Sequence, residues 1–242
     1  YCKMSVIIRK FSYLFLLFLL ISCDHSKQIT ISKIEGSPSF ENAKILKVDT
    51  AKIDNQFSFS FDIENYDLGV QTPREFNYRL ANSDKGQHIH FIVDNGPYSA
   101  HYSQNFSKEV KDGSIVLAFL SRSYHESLKN PNAFILAQVG ENQNMDLSNE
   151  FLFYSRPKGI YKGEDTKRIL LDFYLVNTKI SPDGNKVRAK IDGKDFIIDE
   201  WAPYYIEGLS KGEISIKLEL INSNGDLIDS PFNPSIRSVT LE

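Results

Sequence analysis

The feature that most constrains this chain is a succession of short runs in which apolar and polar residues alternate, each closed by Gly, Asn, Asp or Pro. Residues 57–63 set Phe57, Phe59, Phe61 and Ile63 on one side of an extended segment, because successive side chains of a strand point to opposite faces. Residues 88–94 do the same with Ile89, Phe91 and Val93, and residues 114–120 are apolar on both faces, as a central sandwich strand is. Further strands are predicted over 169–176, 186–192, 195–198, 213–221 and 238–241. Beyond residue 33 no window keeps a helical period. Leu80-Ala81 and residues 126–128 make a single turn at most. The pattern predicts an all-β chain.

The two halves read as divergent copies of one unit. Residues 61–65 parallel 173–177, residues 86–98 parallel 184–196, and residues 106–123 parallel 205–222 with Tyr205 opposite Phe106. The last stretch carries a Gly-containing turn that reverses the chain into a long alternating strand. It resembles the closing hairpin of bacterial immunoglobulin-like modules. With six or seven strands per half, the expected fold is two tandem immunoglobulin-like β-sandwich domains. The boundary is expected near Arg156-Pro157-Lys158-Gly159, where Pro and Gly interrupt an apolar run. The first core is expected to bury Ile89, Phe91, Val93, Leu117 and Phe119. The second is expected to bury Val187, Ile191, Ile216, Leu218 and Leu220.

The N-terminal segment reads as an address. Lys3, Arg9 and Lys10 precede an apolar run of 11 residues, 11–21. A membrane-spanning helix needs about 20, so the run suits the core of a secretion signal. It ends in Leu20-Ile21-Ser22-Cys23, which resembles a bacterial lipobox, and the resemblance implies lipidation of Cys23. The expected organisation is a lipoprotein signal peptide over 1–22, a polar tether over 23–33, a first sandwich over 34–157 and a second over 158–242. Acyl chains on Cys23 anchor a protein to a membrane without spanning it. The expected location is the cell envelope, at the outer membrane or periplasmic face.

Charge and cysteine content exclude some functions. With 28 basic against 31 acidic residues, the chain lacks the basic excess of a nucleic-acid binder. Cys2 and Cys23 are the only cysteines, which leaves no disulfide framework and no Cys-based zinc site. No G-x-S-x-G elbow, H-E-x-x-H motif or P-loop is present, so the reading is of a non-enzyme.

Four of the five histidines, His88, His90, His101 and His125, lie in the first half. His88 and His90 alternate with the core residues and share one strand face, ~6.6 Å apart along the strand. His101 follows the Gly96-Pro97 turn, and His125 lies just past the next core strand. Three or four imidazoles suit Zn or Cu. In the second copy, Lys186 and Arg188 stand opposite His88 and His90, so the sandwich itself does not demand histidine there. Two other uses stay open: a solvated outer face, and an anion site formed by the histidines with Arg122 and Arg156, each of which follows a serine.

Residues 86–102, 116–130, 153–159 and 170–193 resemble a family of uncharacterised lipoproteins of Gram-negative envelopes, some members of which are labelled phosphopeptide-binding. The resemblance implies a ligand-binding role. Three functions follow as expectations: a membrane-anchored module binding a peptide, a protein or a small anionic ligand, with a metal or an anionic, phosphopeptide-like ligand at the His cluster; a structural or assembly protein without metal; and a metalloenzyme on the same cluster. Metal in the purified protein separates the first and third from the second, and turnover separates the third from the first.

Overall fold

A computed structural model describes residues 28–54, 56–73 and 80–242. The apolar run of residues 11–21 and Cys23 lie outside them. The regular secondary structure of the described residues is all strand apart from one short 3-10 turn at Gly163–Thr166. In chain order the strands are β1 (Thr30–Lys33), β2 (Lys44–Ile53), β3 (Gln56–Glu64), β4 (His88–Val93), β5 (Ser99–His101), β6 (Asn105–Lys108), β7 (Ile115–Ser121) and β8 (Phe134–Gln138). They continue with β9 (Phe151–Arg156), β10 (Gly159–Tyr161), β11 (Arg168–Val176), β12 (Lys186–Ile191), β13 (Lys194–Ile198), β14 (Tyr204–Glu207), β15 (Gly212–Ile221) and β16 (Ser235–Leu241). Among the described residues no helix is long and apolar enough to cross a membrane.

The first half folds as sheet β2-β3-β6 against sheet β5-β4-β7-β8. The second repeats this as β9-β11-β14 against β13-β12-β15-β16, with β1 added beside β14 and β10 added beside β16. The protein is two tandem immunoglobulin-like β-sandwiches. In the first, Phe57, Phe59 and Phe61 pack on Ile89, Phe91, Val116, Ala118 and Leu120. In the second, Leu171, Phe173 and Leu175 pack on Val187, Ala189, Ile191, Ile216, Leu218 and Leu220.

A third apolar layer joins the sandwiches. Ile92, Ile115, Leu117 and Phe119, on the far face of the first sandwich's four-stranded sheet, pack against Phe151, Phe153, Tyr174 and Val176 of β9 and β11. The molecule is thus four stacked sheets with three buried seams. Leu117 and Phe119 are buried as expected, but in this seam and not in the first core.

Two segments differ from the sequence reading. Thr30–Lys33, expected within the tether, pairs antiparallel with β14 and closes the edge of the second sandwich. Its alternate residues give the reason, since Ile29 is buried in the second core and Ile31 packs on it. Residues 151–156, expected in the first domain, form β9 and pair with β11. The Pro157-Gly159 punctuation is therefore a corner inside the second sandwich. Past it the chain leaves the sheet of β11 and runs parallel to β16 in the opposite sheet.

Candidate functional site

His88 and His90 occupy alternate positions of β4, facing away from the core that Ile89 and Phe91 enter. Its sequence makes that face an outer one and leaves its solvation open. Instead the second sandwich covers it, and both imidazoles are fully buried. A strand face that reads polar can be buried when its polar groups are neutral and hydrogen-bonded, and these are.

His125 reaches the pair from the loop between β7 and β8. The loop turns tightly, with His125 N–H donating to the Arg122 carbonyl and Arg122 N–H to the Glu126 carbonyl. His125 sits there at φ 69, a left-handed conformation uncommon for residues other than glycine. The second copy makes the same turn between Asn222 and Asp226, with Gly225 at φ 88 in the matching place.

The three rings converge. His88 Nε2 lies 2.9 Å from His90 Nε2 and 3.1 Å from His125 Nδ1. One nitrogen from each ring falls within 4.8 Å of the others. His88 Nδ1–H donates to the Gly86 carbonyl at 2.8 Å, so its Nε2 carries a lone pair toward the centre. Gly86 holds that carbonyl at φ 84, where a Cβ would collide with the Val70 carbonyl, so only glycine fits. His90 Nδ1 lies 3.2 Å from Ser155 Oγ of β9. In the chain alone, His90 Nε2–H can donate to His88. For a metal to take all three, that proton moves to Nδ1, where Ser155 Oγ accepts it. Orienting partners of this kind are usual around ligating histidines.

Aromatic and cationic groups wall the cluster. Tyr98 stacks on His90 with centroids 3.6 Å apart, and its hydroxyl lies 3.3 Å from His125 Nδ1. The Arg156 guanidinium and Lys158 ammonium sit over the Tyr98 ring, at 5.2 and 4.2 Å. Burial, with Arg156 adding to it, lowers the His88 pKa to about 4 and that of His125 to about 2. His90 is pushed well below its ordinary value by burial first, then by His88 and His125. All three are neutral at pH 7, the form that binds metals.

Two of the expected site residues lie elsewhere. His101 is the cross-strand neighbour of Ile89, so it shares that residue's face, opposite to His88 and His90. There it stacks on Phe106 at 3.5 Å and bonds Ser99 Oγ at 2.8 Å through Nε2. Arg122 is buried in an ion pair with Glu126 at 2.8 Å, with Nη2 donating to the Pro38 carbonyl at 2.6 Å. Its charge is already matched, which removes it as an anion ligand. Arg156 stays at the cluster. Gly86, Tyr98 and Ser155 are site residues that sequence patterns did not single out for this role. The one signal for Ser155 was a strand apolar on both of its faces, which announces cover from a second layer.

No family model and no curated protein matches the chain. Among solved structures, it is similar to the central fibronectin-III array of RIM-binding protein, at 7% identity over 86% of this chain and 70% of that one, TM-score 0.28. It is also similar to the fibronectin(III)-like modules of Clostridium thermocellum CbhA, at 12% identity over 89% and 94% of the two chains, TM-score 0.29. For domains 7, 8 and 9 of the S-layer protein SbsC the identity is 9%, over 84% and 62%, TM-score 0.23. Scores this low carry no functional argument; the fold assignment stands on the strand topology.

Proposed function

We propose that the protein is an envelope-anchored binding module whose first sandwich holds a Zn or Cu ion on His88, His90 and His125. The observation that carries this reading is the convergence of three neutral imidazole nitrogens in a buried seam, one of them already in the ligating tautomer through Gly86. Metal–nitrogen bonds of ~2.0–2.1 Å place ligand nitrogens about 3.4 Å apart in a tetrahedral site, a spacing these side chains reach with small rotations. The reading is one of binding and not turnover. The lipobox-like Leu20 to Cys23 supports the anchored location.

Metal analysis of the purified protein after reconstitution tests the site. One equivalent of Zn or Cu is expected in the wild type and none in His90→Ala, with unchanged circular dichroism. A wild-type protein that takes up no metal sinks the reading. Anchoring is tested separately: Cys23→Ser should move the protein from the membrane fraction to the soluble one.

A second reading, a protein-contact module, is favoured by a groove of about 710 Å³ between the sandwiches, lined by Pro131, Phe134, Leu175, Val176, Ile180 and Trp201. Loss of partner capture on Trp201→Ala, with metal content intact, would favour it.

A further inference from the structure

The partly buried Arg156 has no acid to match it. Its Nη1 donates to the Tyr161 hydroxyl at 3.1 Å, its Nε is buried without an acceptor, and no carboxylate among the described residues pairs with it. Burying an uncompensated cation is costly, so a guanidinium in this position calls for an anion. The three imidazoles beside it are neutral and offer none. A divalent metal on them would add two positive charges next to a third. Metal and guanidinium therefore share one deficit, and a single negative atom between them would relieve both.

Space for that atom exists on the His125 side. A cavity of about 10 Å³ is lined by His125, Arg156, Tyr124, Tyr161, Leu80 and Leu170. That volume is about what one water-sized group needs. It excludes a phosphate or a peptide side chain but admits hydroxide or chloride.

We propose that the His88, His90 and His125 site is a paired one, in which a small monovalent anion fills the fourth position of the metal and is held from behind by Arg156. This rests on the metal reading above and adds the co-ligand. By linkage, metal and anion raise each other's affinity by the same factor. The polyhistidine character of the site supplies the metal's ligands, and Arg156 decides what else can enter. Arg156 is here a positioning residue for the anion and touches the metal only through it.

Co(II) is the probe, because its visible absorption reports coordination number and ligand exchange. Purified wild-type protein is titrated with Co(II) in perchlorate and then with chloride at constant ionic strength. The expected result is a one-to-one Co(II) complex whose spectrum shifts on saturable binding of chloride, with Co(II) affinity at least tenfold higher when chloride is present. Arg156→Gln should keep Co(II) but lose at least tenfold in chloride affinity, and Arg156→Lys should recover part of it. Co(II) binding with no chloride response, or a chloride response equal in Arg156→Gln, overturns the paired site and leaves the metal reading standing. Absence of any Co(II) binding overturns both. If Arg156→Gln does not fold, the mutual dependence of Co(II) and chloride in the wild type decides the matter alone.

Discussion

The outer face of sheet β4-β7 in the first sandwich and the same face of β12-β15 in the second begin from one topology and end in opposite environments. On the first it reads His88, His90 and Ile92 along β4, then Ile115, Leu117 and Phe119 along β7. On the second the matching positions are Lys186, Arg188 and Lys190, then Ser215, Lys217 and Glu219. There Arg188 and Lys217 both pair with the buried Glu219 at 2.5 Å, and the two basic side chains reach water. The first face is roofed by Phe151, Phe153 and Tyr174, and its polar members are imidazoles, which can shed their charge on burial. The difference teaches that the sandwich tolerates almost any outer face. What stands there is set by what lies above it.

The strongest way to break this comparison is to truncate the seam. Phe119→Ala removes a fully buried ring that stacks on Tyr174 at 4.5 Å, and a loss of about 3–5 kcal/mol is expected. At the matching Glu219, replacement by Ala should cost under about 1 kcal/mol, since that ion-pair network is partly solvated. Denaturant unfolding of both variants checks it. Similar losses would mean that the two faces are not differently covered.

Acid titration probes the imidazoles directly. A histidine whose folded pKa is depressed contributes stability above its unfolded pKa of ~6.5 and loses it as the pH falls toward the folded value. For His88, folded at about 4, the window is pH 6.5 to 4 and the loss about 3 kcal/mol. His90 and His125 act in the same direction. The second sandwich has no histidine, so the slope should belong to the first. Unfolding free energies at pH 7 and pH 5 should converge in a His88→Gln, His90→Gln variant relative to wild type. An unchanged slope would show that the rings are not held neutral.

Much of this fold was legible in the sequence, and the part that was not has a clear cause. The alternation in 57–63 and 186–191 assigned the core faces correctly, because one face there is polar. Residues 115–120 are apolar on both faces, so the strand itself carries no register. Aligning 106–123 with 205–222 set Phe119 against Leu218. The ladders instead pair Ile89 with Leu120 and Val187 with Leu220, which sets Phe119 against Glu219. A one-residue slip exchanges the faces of a strand, and it hid the contrast between Leu117 and Lys217 that announces the cover. The His88 and His90 pair was visible as an i, i+2 spacing. That His125 joins it while His101 does not depends on a turn and on a cross-strand register, neither of which residue spacing encodes.

Metal sharpens the comparison further. Zn at a hundredfold excess over its dissociation constant should stabilise the wild type by about 2.7 kcal/mol, read as a raised denaturant midpoint at constant slope. His90→Ala should show no shift. A gain that survives His90→Ala would place the ion elsewhere.

The smallest effect concerns the turn that delivers the third imidazole. His125 at φ 69 and Gly225 at φ 88 close the same hydrogen-bonded loop, but only glycine adopts that conformation without a steric cost. Strain of this kind amounts to about 1 kcal/mol and persists where something else requires the residue. Gly225→His should therefore destabilise the second sandwich by about 1 kcal/mol, because nothing there uses an imidazole. His125→Gly should stay within about 1 kcal/mol of wild type in the absence of metal. The relieved strain is offset by the lost contact with Tyr98 and by the freer unfolded chain that glycine brings. The same substitution should remove the Zn-dependent gain in stability. Those two outcomes together assign the strained turn to ligand delivery. If instead His125→Gly lowers metal-free stability by several kcal/mol, the imidazole is a structural plug of the seam, and the turn is strained for packing and not for binding.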